Sequence, residues 1–316
     1  MNFGNKKTGR LLQTAKLFYT PVSFLFIFYF SWTNRILLAK MFEVADFWFL
    51  VISAFLWCAL HLLSPIGTKI VFSSLGSPIS YSKLLRIYII RLPARYLPGG
   101  IWHTLGRLSD YHLFGIAKSH LTLLAIIQTF FPCLITFSIG GGYLWLTKEK
   151  SMLSSLEGGL ALMSIMALLA IPLIVKWKLP GYWHKKFIFS YLLLTLTSIV
   201  FWLVASASFL FYYHSVAIGL KQTSMIHMAA TYIFSWGVGY ISIFAPQGIG
   251  VFEVVAGKLM ALPMTLGGAV AFLAGFRIVA LAADCLAWLA YRYFQFFVSK
   301  RYRAGQETVG PLPKQG

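Results

Sequence analysis

Apolar residues in this chain do not alternate with polar ones; they come in blocks. Seven blocks, about 17–33, 47–63, 119–146, 153–175, 187–213, 225–245 and 267–294, are rich in Phe, Leu and Ile and apolar on every side. A bilayer core about 30 Å thick takes roughly 20 such residues per helical crossing, so the blocks predict membrane-spanning helices. An outer-membrane barrel, which needs short alternating segments, is excluded. The first block follows sixteen mixed residues and leads into Trp32, Asn34 and Arg35, which predicts an uncleaved anchor instead of a cleavable signal. An eighth stretch, 246–264, is apolar but short and opens on Pro-Gln-Gly-Ile-Gly.

Lysine and arginine set the orientation. Lys6, Lys7, Arg10 and Lys16 precede the first block, and the segment 64–118 carries seven basic residues. Lys176, Lys178, Lys185 and Lys186 cluster in 176–186, and Arg292, Lys300, Arg301 and Arg303 lie near the C-terminus. These segments are expected in the cytoplasm. The loops 34–46, with balanced charge, and 214–224, with only Lys221, are expected outside. Seven crossings would leave the C-terminus outside. Counting 246–264 as a broken helix that crosses brings it in. The expectation is an all-α, polytopic protein of a bacterial-type inner (plasma) membrane. It has about seven to eight crossings, two broken or re-entrant helical segments, and both termini cytoplasmic.

Composition narrows the function. Of 316 residues 59% are hydrophobic, 17% aromatic and 11% charged, with a mean hydropathy of +0.75. A water-soluble enzyme and a disordered chain are both excluded. The net charge of +19 falls almost wholly in the segments expected inside, where it orients the protein and attracts anionic phospholipid. No contiguous basic surface on a soluble fold is available for nucleic acid. Cys58, Cys133 and Cys285 sit singly in apolar blocks, and no HExxH or CxxC spacing occurs, so packed thiols and no metal or cofactor are expected.

Two segments share one device. In 87–107, Pro93 and Pro98 each remove a backbone donor, and Gly99 and Gly100 admit unusual backbone angles. A helix is expected to stop near Pro98 and restart near Ile101. In 245–258, Pro246, Gly248 and Gly250 repeat the pattern ahead of Val251. Irregular backbone at membrane depth survives only when packed in protein or lining a wet cavity, and paired interrupted segments mark transporter binding sites. The restarted helices would offer N–H groups to a phosphate or carboxylate. Arg95, His103 and Arg107 flank the first break. Glu253 follows the second, either pairing with Arg277 or capping its own helix, and Lys258 lies nearby. Arg277 and Asp284, seven apart, share a helix face. Charges in apolar surroundings cost at least about 2.5–3.5 kcal/mol each, so these need partners or a cavity. Glu157, near a span entrance, is less informative. Tyr96, Trp102 and Trp236 read most simply as packing or interfacial aromatics.

Arg95-Tyr96-Leu97-Pro98-Gly99-Gly100-Ile101-Trp102, Pro246-Gln247-Gly248-Ile249-Gly250-Val251-Phe252-Glu253 and Phe276-Arg277-Ile278 resemble the lysylphosphatidylglycerol synthase transmembrane family, the flippase-like domain. Gln247 departs from the usual Pro-Gly-Gly form. The resemblance implies a flippase-like domain over 1–302 with a short flexible cytoplasmic tail, 303–316. It also implies translocation of a membrane lipid or of a glycan on a polyprenyl-phosphate carrier. It points to Arg95, Pro98, Gly99, Gly100, Pro246, Gly248, Gly250, Glu253 and Arg277 as substrate-binding residues. The aminoacyl-transferase domain of founding members has no counterpart after about residue 300, so lysyl-lipid synthesis is not expected. No catalytic residues are assigned. The alternatives are a membrane enzyme, with Arg107 and His112 or Glu43 and Asp46 as its nearest polar sets, and a non-transporting partner of proteins that assemble envelope lipid or polysaccharide.

Overall fold

The computed structural model describes residues 25, 28–29, 31–96, 102–147, 152–178, 181, 183, 185–216, 224–242, 248–260 and 264–308, excepting the side chains of 102, 152, 153 and 298–308. Among the described residues every regular element is helical. A short helix, α1 (Arg35–Glu43), leads to α2 (Phe47–Ser74). Asp46 starts α2 by accepting the backbone hydrogens of Trp48 and Phe49 at 2.9 and 3.3 Å, an N-cap that satisfies two orphan donors. The helix runs straight through Pro65, so residues 64–74 belong to it and not to the polar segment expected from 64. Pro65 removes one ladder hydrogen bond. The helix continues because Thr68, Ile70, Val71 and Phe72 beyond it are all buried.

Next come α3 (Tyr81–Ile90), a 3₁₀ turn (Pro93–Tyr96) and α4 (Trp102–Leu113). The first break thus begins at Ile90, earlier than the Pro98 expected, because Pro93 disfavours helix just upstream of itself. α5 (Lys118–Thr136) passes through a π turn, Phe137–Gly141, into Gly142–Thr147. Then follow α6 (Met152–Lys178), α7 (Lys185–Val216), α8 (Met225–Ile241), α9 (Val251–Leu259) and α10 (Leu266–Thr308). α10 carries helix through Arg303–Thr308, the first part of the segment expected to be a flexible tail. Among the described residues five helices are long and apolar enough to cross a membrane: Phe47–Ser74, Lys118–Thr147, Ser154–Lys178, Lys185–Val216 and Leu266–Phe297. Most of the block 17–33 lies outside the described residues.

Polar contacts fix helix directions. Ser53 Oγ donates to the Ser208 carbonyl at 2.7 Å, and Ser208 Oγ returns to the Ser53 carbonyl at 2.8 Å. Asp46 N–H meets the Ser215 carbonyl at 3.1 Å. α2 and α7 are therefore antiparallel along their length. Small hydroxyl residues allow such close approach where apolar burial against lipid gives no advantage. Tyr212 OH donates to the Phe272 carbonyl at 2.7 Å, and Cys58 Sγ to the Ala283 carbonyl at 3.3 Å, so α10 runs parallel to α2. The centre is aromatic: Phe209 stacks on Tyr232 at 4.8 Å, and Phe276 packs edge-on to both at 5.3 and 5.7 Å. Such pairs contribute about 0.5–1.5 kcal/mol each beyond their area.

Two helical hairpins enter this frame from opposite ends. α3, the 3₁₀ turn and α4 form the first. Its base is closed by Ser77 Oγ and His120 Nδ1 at 3.1 Å, beyond the C-terminal end of α2. Halfway along, Arg91 Nε and Nη2 grip both Asp110 oxygens at 2.7 and 2.6 Å. Its inner end places Arg95 and Tyr96 against Asp284 of α10. α8 and α9 form the second. His227 Nε2 meets the Leu259 carbonyl at 3.2 Å at its base, beside the end of α7, where His214 lies 3.5 Å from Met225. Its inner end packs Gly248 on Gly239. A Cβ on Gly248 would sit 2.8 Å from the Gly239 backbone, and its φ of +65° suits glycine.

Candidate functional site

The two hairpin ends meet around a cavity of about 580 Å³. Tyr240, Ser242 and Gly248 line it from the second hairpin, and Arg95, His103, Thr104 and Arg107 from the first. Tyr240 OH bridges to the Gln128 carbonyl of α5 at 3.2 Å. α2 contributes Trp57, His61 and Thr68. The lining from α5 and α7 is largely apolar, with Leu124, Phe131, Leu194, Phe201 and Trp202, and includes the uncharged polar residues Gln128, Thr129, Thr197 and Ser198. Among the described residues the lining includes three arginines and two histidines but no aspartate or glutamate. The cavity thus combines basic side chains from α2 and the first hairpin with largely apolar, uncharged surfaces from α5 and α7.

Each arginine is held differently. Arg91 is committed to Asp110, whose hydrogen bond raises the guanidinium's hold on its proton above the ordinary value, so the pair stays ionised. Arg95 Nη1 lies 3.4 Å from Asp284 Oδ2, a long contact, and its Cζ is 6.0 Å from the Trp57 ring centre. Arg107 lies on the Tyr88 ring at 4.3 Å and donates from Nη2 to Thr104 Oγ1 at 3.3 Å. Its Nε is buried without a hydrogen-bond partner, and it has no ion-pair partner among the described residues. A guanidinium anchored on a ring with open donors is suited to forked recognition of a phosphate or carboxylate. Tyr88 is itself fixed: its OH lies 2.9 Å from both Thr68 Oγ1 and Gln128 Nε2.

Asp284 lies just behind this lining, 2% exposed. Trp57 Nε1 and His61 Nε2 reach Oδ1 at 2.7 and 2.8 Å, and Tyr96 OH reaches Oδ2 at 2.7 Å. With Arg95, four side chains from α2 and the first hairpin converge on one carboxylate. A buried charge is tolerated when its lone pairs are met in this way.

Glu253, fully buried, forms a second knot. Both sequence alternatives hold at once: Arg277 Nε donates to Oε1, and the Gly250 N–H donates to Oε2 at 2.7 Å. Arg277 also lies over the Phe252 and Trp236 rings at 5.3 and 5.7 Å. The expected anion-binding start of α9 is therefore taken by its own Glu253, at a Gly250 whose φ is +87°.

Of the expected site residues, Arg95, His103, Arg107 and Gly248 line the cavity. Gly250, Glu253 and Arg277 form the lock behind it, and Asp284 anchors Arg95. Pro98, Gly99, Gly100 and Pro246 lie outside the described residues. Lys258 is exposed at the last turn of α9, where its charge complements the helix dipole. Glu157, expected at a span entrance, is fully buried beside the π turn of α5. Asp46, weighed as part of an acid pair, is the cap of α2.

Sequence reasoning missed Trp57, His61 and Tyr88 and took Tyr96 for packing. Trp57 and His61 are four apart, on one face of an apolar block, and His61 was itself an ionisable group in that block. Among the described residues no three His, Cys, Asp or Glu side chains gather to hold a metal. No protein-family model, curated protein or solved structure matches this chain.

Proposed function

We propose that the protein is an inner-membrane translocase for anionic amphiphiles, either a membrane lipid or a glycan on a polyprenyl-phosphate carrier. The headgroup binds between the two hairpin ends, and the hydrocarbon follows the α5–α7 wall. One observation carries this reading. Among the described residues the cavity joins Arg95, Arg107 and His103 to a largely apolar wall, with no carboxylate in its lining. The resemblance to the lysylphosphatidylglycerol synthase transmembrane family points the same way. Of the polar sets weighed for an enzyme, Arg107 lines the cavity while His112, Glu43 and Asp46 are not among its lining residues, so neither set is assembled there; this supports transport over the enzyme alternative.

The hairpins also bear on topology. If both re-enter, the first block and the five long helices make six crossings, fewer than the seven to eight expected. The stretch 246–264 then returns to the side it came from. Both termini remain cytoplasmic, and the Lys-rich segments around 64–118 and 176–186 share that side, in keeping with the charge rule.

The reading is tested by native mass spectrometry of the purified protein with dihexanoyl phosphatidylglycerol and dihexanoyl phosphatidylcholine. The anionic lipid should bind preferentially, and Arg107→Ala should weaken it about tenfold or more, the value of a charge-assisted hydrogen bond. Equal binding of both lipids, unchanged by Arg107→Ala, contradicts the proposal.

A further inference from the structure

Tyr88 links Arg107 to a second polar group of the cavity. The Arg107 guanidinium lies 4.3 Å from the centre of the Tyr88 ring. At the far end of that ring the hydroxyl lies 2.9 Å from both Thr68 Oγ1 and Gln128 Nε2. Gln128 Nε2 also donates to Thr68 Oγ1 at 2.9 Å. Both amide hydrogens are therefore used, and they pin the Gln128 side chain to α2 and α3. The Gln128 backbone carbonyl takes the Tyr240 hydroxyl from α8. Gln128 lines the cavity and is half-buried. Its Oε1 accepts no hydrogen bond among the described residues and is not one of the buried orphaned atoms, so it opens on the space that Gln128 lines. An amide oxygen accepts hydrogens and offers none.

Other hydroxyls of the lining are spent on their own helices. Ser64, Thr129, Thr197 and Ser242 each donate to the carbonyl four residues earlier, at 2.7–3.0 Å. The Gln128 amide is instead turned so that its hydrogens face the protein and its oxygen faces the cavity.

We infer that Gln128, held by Tyr88 and Thr68, is a hydroxyl-binding subsite beside the anion site. The cavity takes a phosphate that carries a neutral hydroxylated group, glycerol or a sugar, with Arg107 on the phosphate and Gln128 Oε1 on a hydroxyl. The inference rests on the anion-binding reading of the cavity and names the headgroup class. An ammonium would also donate to Oε1, but it would enter a lining with three arginines and, among the described residues, no carboxylate. A trimethylammonium or an alkyl group has no hydrogen to give and would leave the amide oxygen dry and unpaired. A hydroxyl brings a donor without a charge. The spacing fits as well. Arg107 sits on the face of one tyrosine and Gln128 on its hydroxyl, and a phosphate lies only a few bonds from the hydroxyls of the group esterified to it. A glycerol lipid and a sugar on a polyprenyl phosphate share this chemistry.

The test compares dihexanoyl phosphatidylglycerol with dihexanoyl phosphatidylethanol, which has the same chains and the same single charge but no hydroxyl. In calorimetric titration of the purified wild-type protein the glycerol lipid should bind about three- to tenfold more tightly, the value of one net hydrogen bond. Gln128→Met keeps the length of the side chain without its amide. It should bind both lipids alike, and both more tightly than dihexanoyl phosphatidylcholine. Tyr88→Phe keeps the ring beneath Arg107 and drops one of the two hydroxyls that pin the amide, so it should narrow the difference. Geranyl phosphoglucose presents sugar hydroxyls on an isoprenoid chain. Whichever of it and the glycerol lipid binds more tightly identifies the source, and either result supports the subsite. Equal wild-type affinity for the glycerol and ethanol lipids, or an unchanged difference in Gln128→Met, overturns the subsite and leaves anion binding standing. Wild-type affinity for phosphatidylcholine equal to that for both anionic lipids overturns the two together. Should Gln128→Met not assemble, an unchanged difference in Tyr88→Phe overturns the subsite.

Discussion

At the scale of single residues, the membrane makes buried charge expensive, and that expense is what made much of the site readable. Glu253, Arg277 and Asp284 stand out in the sequence because each needs a partner in apolar surroundings. All three have one. The roles divide, however. Glu253 and Arg277 lock α9 to α10 away from the cavity lining, so Glu253→Gln should act on stability before it acts on ligand. Breaking a buried pair by removing one partner costs about 3–5 kcal/mol. A markedly lower melting temperature in micelles is expected, with partial recovery when Arg277→Met is added. An unchanged melting temperature in Glu253→Gln would show the pair to be dispensable to the fold. His61 is equally exceptional in its apolar block, yet no break or motif beside it marks it out. Its meaning depends on Asp284, far away in sequence, and no spacing rule links the two.

At the scale of elements, the long helices were legible because bilayer thickness imposes length. Four of the five suitable helices nearly coincide with their blocks; the fifth, α2, extends past its block through Pro65. The second break was placed well, since Gly250 and Val251 begin α9 as expected. The direction of the short pieces was not legible. Apolarity reports that a segment is buried, and both a crossing helix and a hairpin arm satisfy it. α8, with ten buried residues among 17, reads as a span in sequence and folds as one arm of a hairpin. The hairpin description predicts a cross-link. Ser77→Cys with His120→Cys, in a background lacking the three native cysteines, should form a disulfide on mild oxidation. A pair that stays reduced under conditions that oxidise a control pair at Ser53 and Ser208 would contradict the closed base.

At the scale of the whole molecule, the +19 charge bears on the expected orientation in the membrane more than on what is bound. The proposed binding chemistry rests on a few arginines of the first hairpin that line the cavity. Opposed hairpins meeting at an amphipathic cavity suit alternating access, because movement of either one opens the same site to a different side. Ligand drives such a change only as far as it binds the two states differently. In the proposed translocase, Arg95, which contacts Asp284 and also lines the cavity, would supply a contact that differs with loading. The most direct measurement is headgroup accessibility in proteoliposomes carrying a fluorescent phosphatidylglycerol or a polyprenyl phosphate, compared with empty liposomes. Wild-type protein should accelerate exposure of an anionic headgroup on the far leaflet, and Arg107→Ala, inserted at equal amount, should return the rate close to that of empty liposomes. No acceleration for either class of anionic lipid, or an undiminished rate in Arg107→Ala, would contradict the account.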